Sequence, residues 1–386
     1  MAQLQWSSFA TGEGEAKYQT ALLPPLKESD AIIMDCDGTL VEISRSYDEA
    51  IYTTVELIFQ SLTGRRPGRG PLREAAFELR KSGGFNNDWD TAYAIVMGLL
   101  SGLPDEPLET FVKNLSREGD EPLSLRSLIL AKCRPAEYDE EEVIDGLRDV
   151  VSYADEAGAK SVDDGLEKLY KGKGKLQLLR EMKALFRYPG MPGESLIPGL
   201  FDELYLGSPL FQSVYGVKPS LCVSRGLIDD ESLIVKKDTL DYMKKRFSRG
   251  LGLATGRTRP AAQKTIGTIL KDYFSDGKAL TFSDDLFIEY ERRRANGTNA
   301  WPGKPDPFAL QRTMGGLPGY RRLIFVGDSM EDLKMCSRVE GYGDSILFIA
   351  VYRHTFNPNA TAKVFFENKV AAVLPTINEL KELLGN

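Results

Sequence analysis

The sequence predicts an α/β fold: a parallel-sheet core that carries a large, mostly helical domain inserted after its first strand. Three observations predict it. Short apolar runs end abruptly in polar clusters, and the segments between the later runs keep their apolar residues on one helical face. About two hundred positions of a different character separate the first run from the second. Strands covered by helices on both faces are apolar throughout instead of alternating, so such runs are the pattern of a buried parallel sheet.

The elements follow in chain order. Residues 1–29 hold no basic stretch followed by an apolar one, so they read as an N-terminal extension without a targeting signal. Ala31-Ile32-Ile33-Met34 forms the first strand and stops at Asp35. Residues 44–244 form the inserted domain, with amphipathic helices expected over 89–100 and 143–154 and Gly/Pro-rich loops at 64–71, 102–107 and 188–198. A stretch of that length is no loop. The core, 30–43 and 245–386, resumes after a helix capped near Asp238-Thr239-Leu240-Asp241 and running towards Phe247. Leu251-Gly252-Leu253-Ala254 stops at Thr255-Gly256-Arg257, a helix spans 260–273, and a strand lies within 279–282. Leu323-Ile324-Phe325-Val326 stops at Gly327-Asp328-Ser329, and 346–351 adds a further strand. Thr376-Ile377-Asn378-Glu379 fits a capping box ahead of Leu380, Leu383 and Leu384.

Composition removes several function classes. The 386 residues carry a formal net charge of -7, with 42 % apolar and 27 % charged side chains, an ordinary balance for a globular chain. The basic stretches at 65–69 and 171–175 are broken by glycine and flanked by acids, so no nucleic-acid partner is expected. No apolar run is long enough to span a bilayer, and no membrane partner is expected. The four cysteines, Cys36, Cys133, Cys222 and Cys336, have no short paired spacing, which argues against a zinc site or a disulfide framework and fits a reducing, cytoplasmic setting. His354 is the single histidine and reads as a strand-end residue. Acid–base chemistry then falls to carboxylates.

Those carboxylates sit where strands end. In Asp35-Cys36-Asp37-Gly38-Thr39, two carboxylates two positions apart can enter one pocket, and Gly38 permits a sharp turn away. One can attack while the other moves a proton, and like charges this close call for a cation. By itself the string is also compatible with an Asx turn or a calcium loop. The other strand ends add to it. Thr255 offers a hydroxyl followed by backbone N–H groups, and Lys304 brings a positive charge on a loop stiffened by Pro305 and Pro307. Asp328 ends a strand, and Asp332 stands one helical turn further on. Oxygen ligands without His or Cys select a hard cation, and Mg²⁺ fits a phosphate site. Cys36 alternates away from the pocket and reads as small buried filler.

In that order the four clusters resemble the motifs of the haloacid dehalogenase superfamily. Asp35-x-Asp37-Gly38-Thr39 is similar to its first motif, Thr255-Gly256-Arg257 to its second, Lys304 to its third and Gly327-Asp328-Ser329-x-x-Asp332 to its fourth. The resemblance implies a Rossmann-like core and a helical cap domain inserted after the first motif, a placement similar to that of phosphoglycolate phosphatases and β-phosphoglucomutases. It implies that Asp35 becomes an aspartyl-phosphate, that Asp37 serves as general acid and then base, and that Thr255 and Lys304 hold the phosphate. It implies Mg²⁺ bound by Asp35, the Asp37 main-chain carbonyl and Asp328, with Asp332 in the first or second coordination sphere. Asp37 at its position points to phosphate esters within that family. The strings at 41–47 and 83–90 further resemble a subfamily whose members are sometimes fused to imidazoleglycerol-phosphate dehydratase.

The expected activity is therefore Mg²⁺-dependent hydrolysis of a small phosphorylated metabolite. Gly256 and Arg257 are candidates for the phosphate, and Arg45, Asn87, Asp88 and Trp89 for the leaving group. For Arg45 a surface salt bridge is the alternative. For 87–89 it is a helix cap with Trp89 packed beneath it. A phosphomutase using the same intermediate and a non-catalytic binding protein on this fold are the rival functions.

Overall fold

The structure, a computed structural model, describes residues 5–85, 87–115, 137–274 and 277–385. The chain divides into two compact units, residues 1–44 with 231–386, and residues 45–230.

The first unit is an α/β fold of Rossmann-like type around an eight-stranded, mostly parallel sheet. Its strands are β1 (Trp6–Thr11), β2 (Gly14–Gln19), β3 (Ala31–Met34), β6 (Leu251–Ala254), β7 (Leu280–Thr281), β8 (Leu323–Gly327), β9 (Ile346–Val351) and β10 (Ala372–Leu374). They lie in the order β1-β2-β10-β9-β8-β3-β6-β7. The six strands from β10 to β7 run parallel. The hairpin β1–β2 closes one edge antiparallel against β10. The apolar-run pattern misses this hairpin, because an edge strand with partly exposed faces carries no continuous hydrophobic stretch.

Residue alternation along the central strands explains why both faces are covered. Ile32, Met34, Leu253, Ile324, Val326 and Ile349 belong to one buried cluster, completed by Leu240, Met243, Ala262 and Ile266 from helices Lys237–Arg246 and Arg259–Tyr273. Ala31, Ile33, Phe325 and Phe348 belong to the other, completed by Leu286, Leu310, Leu333 and Phe365. The expected capping box is present, with the Thr376 and Glu379 side chains each accepting a backbone N–H from the other's end of the turn.

The chain order reverses at β3. It lies between β8 and β6, with β7 beyond β6 on one side and β9 and β10 beyond β8 on the other. In open sheets of this kind the crevice for a ligand opens beyond the carboxyl ends of the strands at that reversal. The chain leaves β3 through a tight turn, then forms the short β4 (Val41–Glu42), which pairs antiparallel with β5 (Ser232–Leu233).

The second unit is helical. Its helices are Tyr47–Thr63, Arg69–Ser82, Asp88–Ser101, Asp105–Leu115, Glu140–Ser152, Ala159–Gly172, Leu176–Phe186, Leu196–Leu206 and Ser208–Tyr215, counted among the described residues. Helix Asp88–Ser101 is its axis, buried at every position from Thr91 to Ser101. Helix Glu140–Ser152 lies directly against the end of that axis. A Cβ on Gly146 would fall within 2.7 Å of the Gly102 Cα, so only glycine permits the approach. Among the described residues no helix is long and apolar enough to cross a membrane.

Candidate active site

Three adjacent parallel strands deliver their following residues to one place. Asp35 follows β3, and its N–H donates to the Val326 carbonyl of β8 at 2.9 Å, which holds the residue in register just past the strand end. The chain then turns sharply, with the N–H groups of Leu40 and Val41 donating to the Cys36 carbonyl. Gly38 makes the turn possible with φ of 68°, and any Cβ there would overlap the Asp328 carboxylate. Asp328 itself follows β8, and Asp332 lies in the first turn of helix Met330–Ser337.

One carboxylate oxygen from each of Asp35, Asp328 and Asp332 lies within 4.8 Å of the other two. Lys304 reaches into this cluster, its Nζ 2.6 Å from Asp35 Oδ1 and 2.6 Å from Asp332 Oδ1. The remaining oxygen of Asp332 accepts from Ser329 Oγ at 2.7 Å in a capping box, so Asp332 also orders the helix start. The Lys304 loop is tied down behind the site. Arg293 pairs with both oxygens of Asp306 at 2.8 and 3.0 Å, and Asp306 accepts the Phe308 N–H.

Burial of so many like charges leaves a clear electrostatic signature. Burial pushes the Asp35 carboxyl up to about 7, with Lys304 working against that shift and Asp332 and Asp37 adding to it. The same burial, reinforced by Asp35 and Asp332, lifts Asp328 well above the usual carboxylate range. Burial opposes the charge of Lys304, yet the Asp332 and Asp35 carboxylates outweigh it and raise its pKa. Three carboxylates around one ammonium form a cluster that favours a further cation.

A Mg²⁺ ion fits this donor set. The ligands are all oxygens, and among the described residues no histidine or cysteine joins the cluster. The absence of a side chain at Gly38 leaves the Asp37–Gly38 backbone close against Asp328.

Asp37 is held differently. Its Oδ1 accepts from Arg257 Nε at 2.5 Å, and 23 % of its side chain stays exposed. Burial raises its pKa and the Arg257 charge opposes the rise. Thr255 is buried at the end of β6, and its hydroxyl accepts the Arg257 N–H at 3.1 Å. Gly256 is exposed, with open space where a Cβ would stand.

Arg257 is fully buried and its guanidinium is committed to Asp37, Glu231 and Thr265. That commitment differs from the phosphate contact its motif position suggests. Glu231, its bidentate partner at 2.7 and 3.0 Å, belongs to no motif and is separated from Arg257 by 26 positions. The acidic run Asp229-Asp230-Glu231 is its only trace in the sequence, and such a run ordinarily marks a solvated turn.

The remaining candidates belong to the helical unit. Arg45 is exposed at its start. Asn87 caps helix Asp88–Ser101, accepting the Trp89 N–H at 3.0 Å. Asp88 accepts from Arg80 at 2.8 Å, and Arg80 also pairs with Asp48 at 2.7 Å. Trp89 Nε1 donates to Asp202 at 3.2 Å, and Tyr215 donates to the other oxygen of Asp202 at 2.5 Å. His354 lies in the turn beyond β9, where burial lowers its pKa.

No protein-family model matches the chain, and no curated protein does. Among solved structures, an X-ray structure of a Northeast Structural Genomics Consortium target is 16 % identical, with a TM-score of 0.58 over 92 % of this chain and 98 % of that one. A phosphatase from Thermococcus thioreducens is 22 % identical, with a TM-score of 0.45 over 88 % and 98 %. A HAD-superfamily hydrolase, subfamily IA, from Geobacter sulfurreducens is 15 % identical, with a TM-score of 0.34 over 93 % and 97 %. The first of these likenesses is deep enough to show the fold, and it shows the fold alone.

Proposed function

We propose that this protein is a Mg²⁺-dependent phosphomonoester hydrolase that acts on a small phosphorylated metabolite through an aspartyl-phosphate on Asp35. The observation that carries the reading is Lys304 Nζ at 2.6 Å from the Asp35 carboxylate, inside a cluster shared with Asp328 and Asp332 at the reversal of the sheet. The four haloacid dehalogenase-like motifs at these positions support it.

An Asp35 oxygen attacks phosphorus, and the bond from phosphorus to the leaving oxygen breaks. Asp37, protonated, gives that oxygen its proton. A water then attacks the phosphorus of the aspartyl-phosphate while Asp37 takes back a proton, releasing inorganic phosphate and restoring the Asp35 carboxylate. Thr255 and the exposed Gly256 backbone receive phosphoryl oxygens, and Lys304 neutralises charge on Asp35 as the acyl phosphate forms. Asp35, Asp328 and the Asp37 main-chain carbonyl would hold Mg²⁺, with Asp332 directly or at one remove. When bound, the ion supplies positive charge to the transferring phosphoryl group.

For the leaving group, Arg45, Asn87, Asp88 and Trp89 are proposed contacts. Arg45 is exposed and the other three are only half-buried. Cytoplasmic residence belongs to the same proposal and draws support from Cys36, Cys222 and Cys336, which are free thiols. A panel of phosphorylated metabolites, assayed for phosphate release by the wild type and by Asp35→Asn, tests the reading. Release by the wild type alone supports it, and equal release by both proteins overturns the assignment of the nucleophile. A bisphosphate product in place of free phosphate would identify a phosphomutase.

A further inference from the structure

We infer that Glu231 is a positioning residue for the acid–base carboxylate Asp37, acting through the buried guanidinium of Arg257; the inference rests on the phosphohydrolase reading above. Asp37 follows β3 on a sharp turn, and a part of its side chain stays exposed. A carboxylate on such a turn can take more than one rotamer, so something must select one. Arg257 does so with two N–H groups, Nε and Nη2, on the same oxygen of Asp37. A guanidinium is planar, so its orientation sets the direction of those two donors.

The guanidinium is in turn fixed from its far edge. Nη1 donates to Glu231 Oε2 at 2.7 Å and Nη2 to Glu231 Oε1 at 3.0 Å, a two-point contact that defines the plane. Thr265, on helix Arg259–Tyr273, donates its hydroxyl to Glu231 Oε2 at 2.7 Å and accepts from Arg257 Nη1 at 3.2 Å. Arg257 is wholly buried, and the Glu231 side chain is 1 % exposed. The Arg257–Glu231 pair is therefore shielded from water, and solvent does not substitute for a missing partner there. Arg257 also donates its N–H to the Thr255 hydroxyl, so the same residue aligns the proposed phosphate-binding threonine. Glu231 bonds to Arg257 and Thr265, so its effect reaches the site through Arg257.

The consequence is chemical. An acid that protonates the leaving oxygen matters most when that oxygen is a poor leaving group, and little when it departs unaided. Phenyl phosphate and p-nitrophenyl phosphate have nearly the same shape but differ in this respect. Glu231→Gln keeps the shape of the side chain and removes one acceptor and the charge. Relative to the wild type, kcat/KM should fall at least about tenfold more for phenyl than for p-nitrophenyl phosphate, a part of the roughly 10²–10⁴ that a positioned acid supplies. Arg257→Lys should show the same imbalance, and the double variant should lose no more than either single one, as for residues acting in series.

Thr265→Val removes the brace without removing a charge, so it serves as the second variant should Glu231→Gln not fold. It should show the same imbalance at smaller size. Equal losses on both esters in every folded variant would overturn the inference and leave Glu231 as a structural ion-pair partner. The hydrolase reading would survive that result, because wild-type turnover of p-nitrophenyl phosphate and its loss in Asp35→Asn report on it separately. A wild type that releases phosphate from neither ester nor any metabolite of the panel would overturn both.

Discussion

The two units both bury carboxylates, and they treat them in opposite ways. In the helical unit, among the described residues, Asp202, Asp48, Asp88 and Asp163 each have local hydrogen-bond donors or cations beside them. Asp202 takes donors from Trp89 and Tyr215, Asp48 and Asp88 share Arg80, and Asp163 binds Tyr93 at 2.6 Å and Lys183 at 2.7 Å. In the α/β unit Asp35, Asp328 and Asp332 crowd around a single lysine. A buried acid matched by local donors is a structural element, because its desolvation is offset where it stands. Acids in excess of the cations around them are destabilising until something charged arrives, and that imbalance marks a site. The comparison also shows why Arg257 stands apart: it is matched by Glu231 as the helical acids are, yet it touches a member of the active site.

The largest effect that tests this contrast is at Asp35. Asp35→Asn should reduce phosphate release to assay background, because an amide does not form the acyl phosphate. Its melting temperature should hold or rise, since one charge leaves a repelling cluster. A variant that melts far lower would show that the core acids are structural after all.

Removal of the metal comes next. EDTA should abolish activity, Mg²⁺ should restore it, and a zinc-selective chelator should have no effect. Saturating Mg²⁺ should also raise the melting temperature, since an ion bound only by the folded state adds about 2.7 kcal/mol at a hundredfold excess over Kd. Asp328→Asn should remove most of that thermal gain. Unchanged melting with and without the ion would deny the α/β unit its excess charge.

Smaller effects belong to the helical unit. Asn87→Ala should cost about 1 kcal/mol of stability as a lost cap. Trp89→Ala should lower turnover of the metabolite more than that of p-nitrophenyl phosphate, because only the leaving group differs between them. Equal losses with a lowered melting temperature would make 87–89 a feature of packing alone.

The helical unit also carries a pH dependence. Burial pushes Asp202 up to about 7, so the folded state holds a proton that the unfolded chain releases near pH 4. The stability this group contributes is complete below about pH 4 and is lost as pH rises to about 7. Asp202→Asn should therefore gain on the wild type in melting temperature between those limits. Thermal melts of both proteins across the range check it, and parallel curves would mean that Asp202 stays ionised.

Much of the core was legible because its strands are continuous apolar runs that stop dead. Ile346–Val351 and the polar cluster after Leu323–Gly327 could be placed from residue type alone. Helix Asp88–Ser101 was likewise visible within a residue or so at each end. What escaped has a common cause. The β1–β2 hairpin gains its place from pairing with β10, more than 350 positions away, and only partial burial marks its residues. Glu231 acquires its meaning from Arg257, and Asp202 from Trp89, which stands 113 positions earlier. Buried polar pairs are made by tertiary contact, and neither member differs in sequence from an exposed residue of its type.

The short ladder of Val41–Glu42 with Ser232–Leu233 has a further consequence. It brings the two points where the chain leaves and re-enters the α/β unit to neighbouring strands, about 5 Å apart. The nearly two hundred residues between them thus begin and end at one doorway, and a short turn that keeps Glu231 ahead of Ser232 could join the two strands in place of the rest. Excision of that kind would yield a single-unit protein whose sheet and carboxylate cluster keep all their covalent connections, and it makes the helical unit an exchangeable module.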